Sequence, residues 1–157
     1  MLRMTTRKNQ PEPTDVSAID SDLPQSSARA AMAQRMLLLR AYWKLIQLDR
    51  CLQKGDFAKL RDEVRTYPCA PVPAEHDALE RVCRAIDTAC VWYWKEVLCL
   101  QRSAATACLL KTAGIPAQMI IGVQQMPFLS HAWVEVNGRV VNDKPYMRDL
   151  YMVLDIC

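Results

Sequence analysis

Up to Gly114 the apolar residues recur with helical spacing, and after Pro116 they alternate with a period of two. The two periods bury different faces, so helices must come first and strands afterwards. The clearest helical stretch begins at Glu75. Leu79, Val82, Cys83, Ile86, Cys90, Tyr93, Trp94 and Val97 hold the i, i+3, i+4, i+7 spacing, while Asp77, Glu80, Arg81, Arg84 and Asp87 fill the other face. Upstream, Ser26 and Ser27 read as N-caps of a helix running to about Lys54 and ended by Gly55. Its stripe of Leu38, Tyr42, Leu45 and Leu52 is widened by Met36, Leu37, Leu39 and Trp43, which predicts burial on more than one side. Asp56 caps a short helix over 57–66, and a proline-rich link follows from Pro68 to Pro73.

A further helix is expected from about Cys99 to Ala113. By periodicity alone the preceding helix would run straight into it, because Trp94-Lys95-Glu96-Val97-Leu98 holds no glycine, proline or good cap. Beyond Pro116, residues 117–123 and 131–136 read as strands. Asn137-Gly138 marks a hairpin, Arg139 to Asn142 its returning strand, and 149–154 a last strand. Helices followed by strands predict an α+β fold, with N-terminal helices packed on a C-terminal antiparallel sheet.

Composition bounds the rest. Residues 1–25 hold three prolines and few large apolar residues, the make-up of a disordered arm. Residues 26–157 then form a single domain, with a helical front over 26–74 and a core over 75–157. A net charge of +3 is too slight to argue for nucleic acid or anionic membrane as partners. No apolar stretch is long enough for a membrane span, and the charged opening Met1 to Lys8 is followed by no apolar signal core. The seven cysteines therefore read as thiols in a reducing cytoplasm. With no C-x-x-C, two histidines and no glycine-rich phosphate loop, neither a metal site nor a cofactor is expected.

A thiol attacks a carbonyl as its thiolate, which needs a base beside it, commonly an imidazole oriented by a carboxylate. His76 falls at a helix start on the polar side and reads as a solvated residue. His131 opens the strand before the hairpin, and Asp143 ends the strand that returns toward it. A strict two-residue loop at Asn137-Gly138 would pair His131 with Lys144 and send Asp143 to the opposite face. Bringing the two together predicts a bulge or three-residue loop between Val136 and Val140. Among the cysteines, Cys83, Cys90 and Cys108 fall on inner helical faces. Cys99 is favoured as nucleophile if a helix begins there, where the terminal amides stabilise a thiolate, and reads as a buried structural residue if the helix runs through.

Cys99-Leu100-Gln101-Arg102-Ser103, Gly114-Ile115-Pro116-Ala117, Ile121-Gly122-Val123, His131-Ala132-Trp133-Val134-Glu135-Val136 and Asn142-Asp143 occur in this order and spacing over roughly residues 75–145. Together they resemble the catalytic domain of lasso-peptide leader peptidases, which are similar to transglutaminase-like proteins of the papain-like class. The resemblance implies Cys99 as nucleophile, His131 as base and Asp143 as the orienting residue, with a chain break before Cys99. It implies a bacterial, cytoplasmic cysteine peptidase that removes the leader of a ribosomally made lasso-peptide precursor. It implies as partners the precursor's leader, a separate winged-helix leader-binding protein and the ATP-dependent lasso cyclase. The chain reads as the stand-alone catalytic half. Acyl transfer from the same acyl-enzyme is the rival chemistry, and a precursor-binding scaffold the non-catalytic rival. The front helix around residues 32–48 is the first candidate for partner contact.

Overall fold

The computed structural model describes residues 23–71 and 73–157, with side chains from Ser27 onward. The expected arm therefore lies outside the described residues, apart from its last three, Leu23 to Gln25, which are already helical. Ser26 and Ser27 are inside that helix and do not cap it.

Four helices precede the sheet: α1 (Leu23–Gln53), α2 (Phe57–Thr66), α3 (Ala78–Val91) and α4 (Cys99–Thr112). Strands β1 (Ala117–Gln124), β2 (Leu129–Val136) and β3 (Arg139–Val140) follow, then a single helical turn α5 (Met147–Leu150) and β4 (Met152–Ile156). The expected last strand, 149–154, is thus displaced toward the C-terminus, its first residues taken by α5. The sheet is antiparallel in the order β3-β2-β1-β4. This is the α+β arrangement that the change of period requires.

Local chemistry explains several boundaries. The Asp56 carboxylate accepts a hydrogen bond from the Lys59 amide at 3.1 Å and starts α2. Asn137 and Gly138 have φ of 51° and 74°, the left-handed pair of a tight hairpin turn. The helix after Glu75 does not run through Cys99. It ends at Val91, and Leu98, with ψ of 156°, enters α4 in extended conformation. No local breaker does this; tertiary contacts do. The Tyr93 ring stacks on Trp94 and packs against Tyr42 of α1, while Lys95 pairs with the buried Asp49 of α1. These contacts outweigh a continuous helical period.

The core lies between the helices and one face of the sheet. α4 runs through it, with Ala104, Ala105, Ala107, Cys108 and Leu110 almost wholly excluded from solvent, against Met119 and Val134 of the sheet. On the other face Ile120, Trp133 and Met147 form a smaller cluster with Tyr151 and Val153. Among the described residues no helix is long and apolar enough to cross a membrane.

Candidate active site

Strand alternation sends His131, Trp133 and Glu135 to the face of β2 away from α4, while Ala132 and Val134 lie beneath the helix. His131 Nε2 stands 2.9 Å from Asp143 Oδ2. A carboxylate only accepts, so Nε2 carries the shared proton, and in a neutral ring Nδ1 keeps its lone pair. Burial by itself would raise the Asp143 carboxyl, but hydrogen bonds from His131 and the Lys144 amide, with the positive charge of Arg102, hold it below its ordinary value.

The expected irregular loop is not how the pair is made. Val136 pairs with Arg139 and Glu135 with Val140, a regular two-residue hairpin. The irregularity comes later. The Val141 amide still donates to Val134 O at 2.9 Å, but the Val134 amide turns instead to the Asn142 side-chain oxygen at 2.7 Å. Replacing a ladder bond with a side chain releases the backbone at 141–143, and this frees Asp143 from the register that alternation would impose. The error lay in placing the irregularity inside the turn. Asn142, sitting before the aspartate, is the residue that could have located it, since an Asn side chain competes with backbone partners.

Asn142 also ties this region to α4. Its amide donates to Ser103 Oγ at 3.0 Å, and Ser103 donates to Ala132 O at 2.8 Å. One serine on α4 therefore contacts the neighbours in sequence of both His131 and Asp143. Cys99 is four residues before Ser103 and so lies on the same helix face, one turn nearer the N-terminus. Cys99 is half-buried and its thiol has no hydrogen-bond partner among the described residues, so the structure joins His131 to Asp143 and does not join Cys99 to either. Leu98 caps α4 without a side-chain hydrogen bond, leaving the first-turn amides without side-chain acceptors. The other buried thiols are poor nucleophiles: burial pushes Cys83 and Cys108 up to about 11 and also raises Cys90 and Cys157. His76 is exposed in the turn before α3.

Behind the imidazole is a shelf that sequence reasoning did not find. Tyr151 and Trp133 lie 5.4 and 6.4 Å from the His131 ring, centroid to centroid. Trp133 Nε1 donates to Glu135 at 2.8 Å, and Arg148 of α5 grips both oxygens of that carboxylate, at 2.8 and 2.7 Å. The Arg148 hydrogen bonds hold the buried Glu135 carboxyl below its ordinary value. Gly122, opposite His131 in the β1–β2 register, has no room for a side chain: a Cβ there would stand 2.9 Å from the Trp133 ring and from Tyr151 Cβ.

Two cavities of about 500 and 560 Å³ lie toward the other end of α4, against Leu109 and Ala113 and against Lys111 and Pro116. Exposed apolar residues precede both candidate residues in sequence: Trp92, Trp94 and Leu98 before Cys99, and Met126, Phe128 and Leu129 before His131.

Comparison with known proteins agrees with this architecture. The microcin J25-processing protein McjB of Escherichia coli is 48% identical over 56 residues, which are 36% of this chain and 27% of that protein. The match thus spans about a quarter of the relative's own length. No solved structure matches the chain. The family model of the transglutaminase-like superfamily matches residues 42–155, from the middle of α1 into β4. A match over most of the chain, on an α+β fold of this order, places the protein in the transglutaminase-like superfamily.

Proposed function

We propose that this chain is a cysteine peptidase that removes the leader from a lasso-peptide precursor, with Cys99 as nucleophile, His131 as base and Asp143 as the residue that orients the base. The observation that carries the reading is the 2.9 Å His131–Asp143 contact, which fixes the proton on Nε2 and reserves Nδ1 for a thiol. Two features support Cys99 as that thiol. It is the first residue of α4, at the end where the helix amides are free of side-chain acceptors. And Ser103, one turn on from Cys99, bonds both Ala132 O beside His131 and the Asn142 amide beside Asp143. The name of the similar Escherichia coli protein, a microcin J25-processing protein, supports the substrate class.

In this mechanism His131 Nδ1 takes the Cys99 proton as sulfur attacks the scissile carbonyl. The oxyanion is met by backbone amides of the α4 first turn. The tetrahedral species collapses, the C–N bond breaks, and the imidazolium gives its proton to the departing amine. Water, deprotonated by His131, then cleaves the thioester to an acid and the free thiol. The exposed apolar residues before Cys99 and before His131 would grip an extended peptide.

The superfamily itself supports a second reading, in which an amine rather than water resolves the thioester. Mass spectrometry of a lasso precursor incubated with the chain, with and without added amine, separates the two: a free leader carboxylate supports hydrolysis, an amide supports transfer. In the reading proposed, a separate winged-helix protein presents the leader, and the lasso cyclase takes the freed core. Tethering raises the local concentration of the scissile bond, so cleavage is slow with the chain alone and accelerates when the winged-helix protein is added. Equal rates would remove the split arrangement. Leader removal by Cys99→Ala protein would leave only a scaffold.

A further inference from the structure

The front helix α1 has two apolar faces. Ala41, Leu45 and Leu48 are wholly buried against the core. At about 100° per residue, Met32, Met36, Leu39 and Trp43 fall within an arc of about 60° on the opposite side. They are 60, 50, 63 and 57% exposed. The sequence predicts a helix buried on more than one side; within this chain it is buried on one.

The charges that α1 itself places around the stripe all have one sign, while Glu75, which lines a cavity with Met36 and Arg40, is paired with Arg81. Arg35 flanks the stripe on one side and Arg29 and Arg40 on the other, with Arg50 about two turns beyond its end. All four are exposed, and among the described residues none of them has an ion pair. The only acid on α1, Asp49, is buried and occupied by Lys95 and Gln53. Beside the stripe, Met36 and Arg40 also line the cavity of about 500 Å³ between α1 and α3.

We infer that this face of α1 is a docking seam for an acidic amphipathic helix of a partner protein, one carrying apolar residues at heptad spacing flanked by Glu or Asp. The spacing of the stripe, four-three-four, is that of a two-position heptad seam, narrower than the face a helix buries in a bilayer. A second copy of this chain would set arginine against arginine. An acidic helix pairs with each arginine and can place one side chain into the adjoining cavity. The inference rests on this surface alone and stands apart from the peptidase reading.

The probe is a labelled synthetic helix of three heptads, with Leu at the seam positions and Glu beside them, titrated with the full chain and followed by fluorescence anisotropy. Its counterpart carries Lys in place of Glu. The Glu peptide binds at least about tenfold more tightly than the Lys peptide. Leu39→Glu removes that binding, and the double variant Arg35→Glu with Arg40→Glu reverses the preference. These side chains are exposed, so circular dichroism stays unchanged. Equal affinity for both peptides, or indifference to Leu39→Glu, overturns the inference. Binding to phosphatidylglycerol vesicles without peptide binding assigns the face to a membrane. Self-association lost in Leu39→Glu assigns it to a second copy. A tenfold gain in peptide affinity on deleting residues 1–22 assigns it to the chain's own leading segment.

Discussion

The first turn of α4 and the rest of the same helix contrast sharply, and each contains a cysteine. From Ser103 to Lys111 every residue is buried, and Cys108 is sealed among alanines and leucines where burial pushes its thiol up to about 11. At Cys99 and Leu100 the helix is half-buried, its amides have no side-chain cap, and exposed Trp94 and Leu98 lie just before it. The residue type is the same; what differs is the surrounding dielectric and the free end of a helix. In the mechanism proposed, reactivity belongs to the end and stability to the middle. The Ser103 hydroxyl is the boundary, since it locks the buried part of α4 to the strand that carries His131.

The largest expected effects come from breaking the reactive end. Cys99→Ala and His131→Ala each lower leader removal by roughly a thousandfold or more while the thermal midpoint barely moves, because neither is a core residue. Wild-type-like turnover in the Cys99 variant, measured by mass spectrometry of the precursor, would erase the contrast. Asp143→Ala costs roughly a hundredfold, less than the base itself, because it orients rather than reacts. Its carboxyl is held low, so activity that needs it ionised persists above the ordinary aspartate value of 3.8 and falls only as pH drops below it. An acid limb that does not change in Asp143→Asn would count against the orienting role.

Much of this division could be read beforehand, and the exceptions are instructive. The change of period at Gly114 to Pro116 determines the α+β order because buried faces impose their repeat on any sequence. Asp56, as a local hydrogen-bond acceptor, marked the start of α2. The start of α4 was not legible in the residues before it. Nothing in Trp94 to Leu98 breaks a helix; Asp49 and Tyr42, about fifty residues upstream, do so across space. The helix expected from about Cys99 to Ala113 is α4, and the resemblance of the Cys99 to Ser103 motif pointed to the break before it. The hairpin failed in a different way. Alternation was applied to a returning strand that ends after two residues, where the Asn142 side chain takes over the ladder. The Arg148–Glu135–Trp133 shelf escaped notice because a buried Glu and a helix too short to carry a period leave no pattern.

Effects of intermediate size come from that shelf, which lies behind the reactive end without belonging to it. Arg148→Ala leaves the Glu135 carboxylate buried with only the indole as donor and destabilises the protein by roughly 2 kcal/mol. The Glu135 carboxyl is lower in the folded protein than its ordinary 4.5, so the stability it contributes is complete above that value and is lost as pH falls below it. In Arg148→Ala this acid-side dependence weakens, as urea midpoints between pH 3 and 7 would show. Gly122→Ala drives a methyl against Trp133 and Tyr151 and costs about 1–3 kcal/mol, with a further loss of turnover if the displaced ring moves His131. A Gly122→Ala protein with unchanged stability and turnover would show that the shelf is not tight.

The smallest effect is expected at Cys108, and its smallness sharpens the contrast most. Cys108→Ala removes one sulfur from a site wholly excluded from water, leaving a small void in the core. The cost is about 1 kcal/mol, in line with losing a methylene-sized group from a packed core. Turnover stays within about twofold, because a thiol raised to about 11 supplies no thiolate at neutral pH. Alkylation gives a second readout that does not depend on substrate. Iodoacetamide at pH 7 should modify Cys99 before the other six cysteines, and Cys108 only after unfolding. If Cys108→Ala abolishes leader removal while Cys99→Ala does not, the two halves of α4 have been assigned the wrong way round. If both variants turn over normally, the chemistry lies elsewhere, and exposed Cys69 becomes the thiol to replace next.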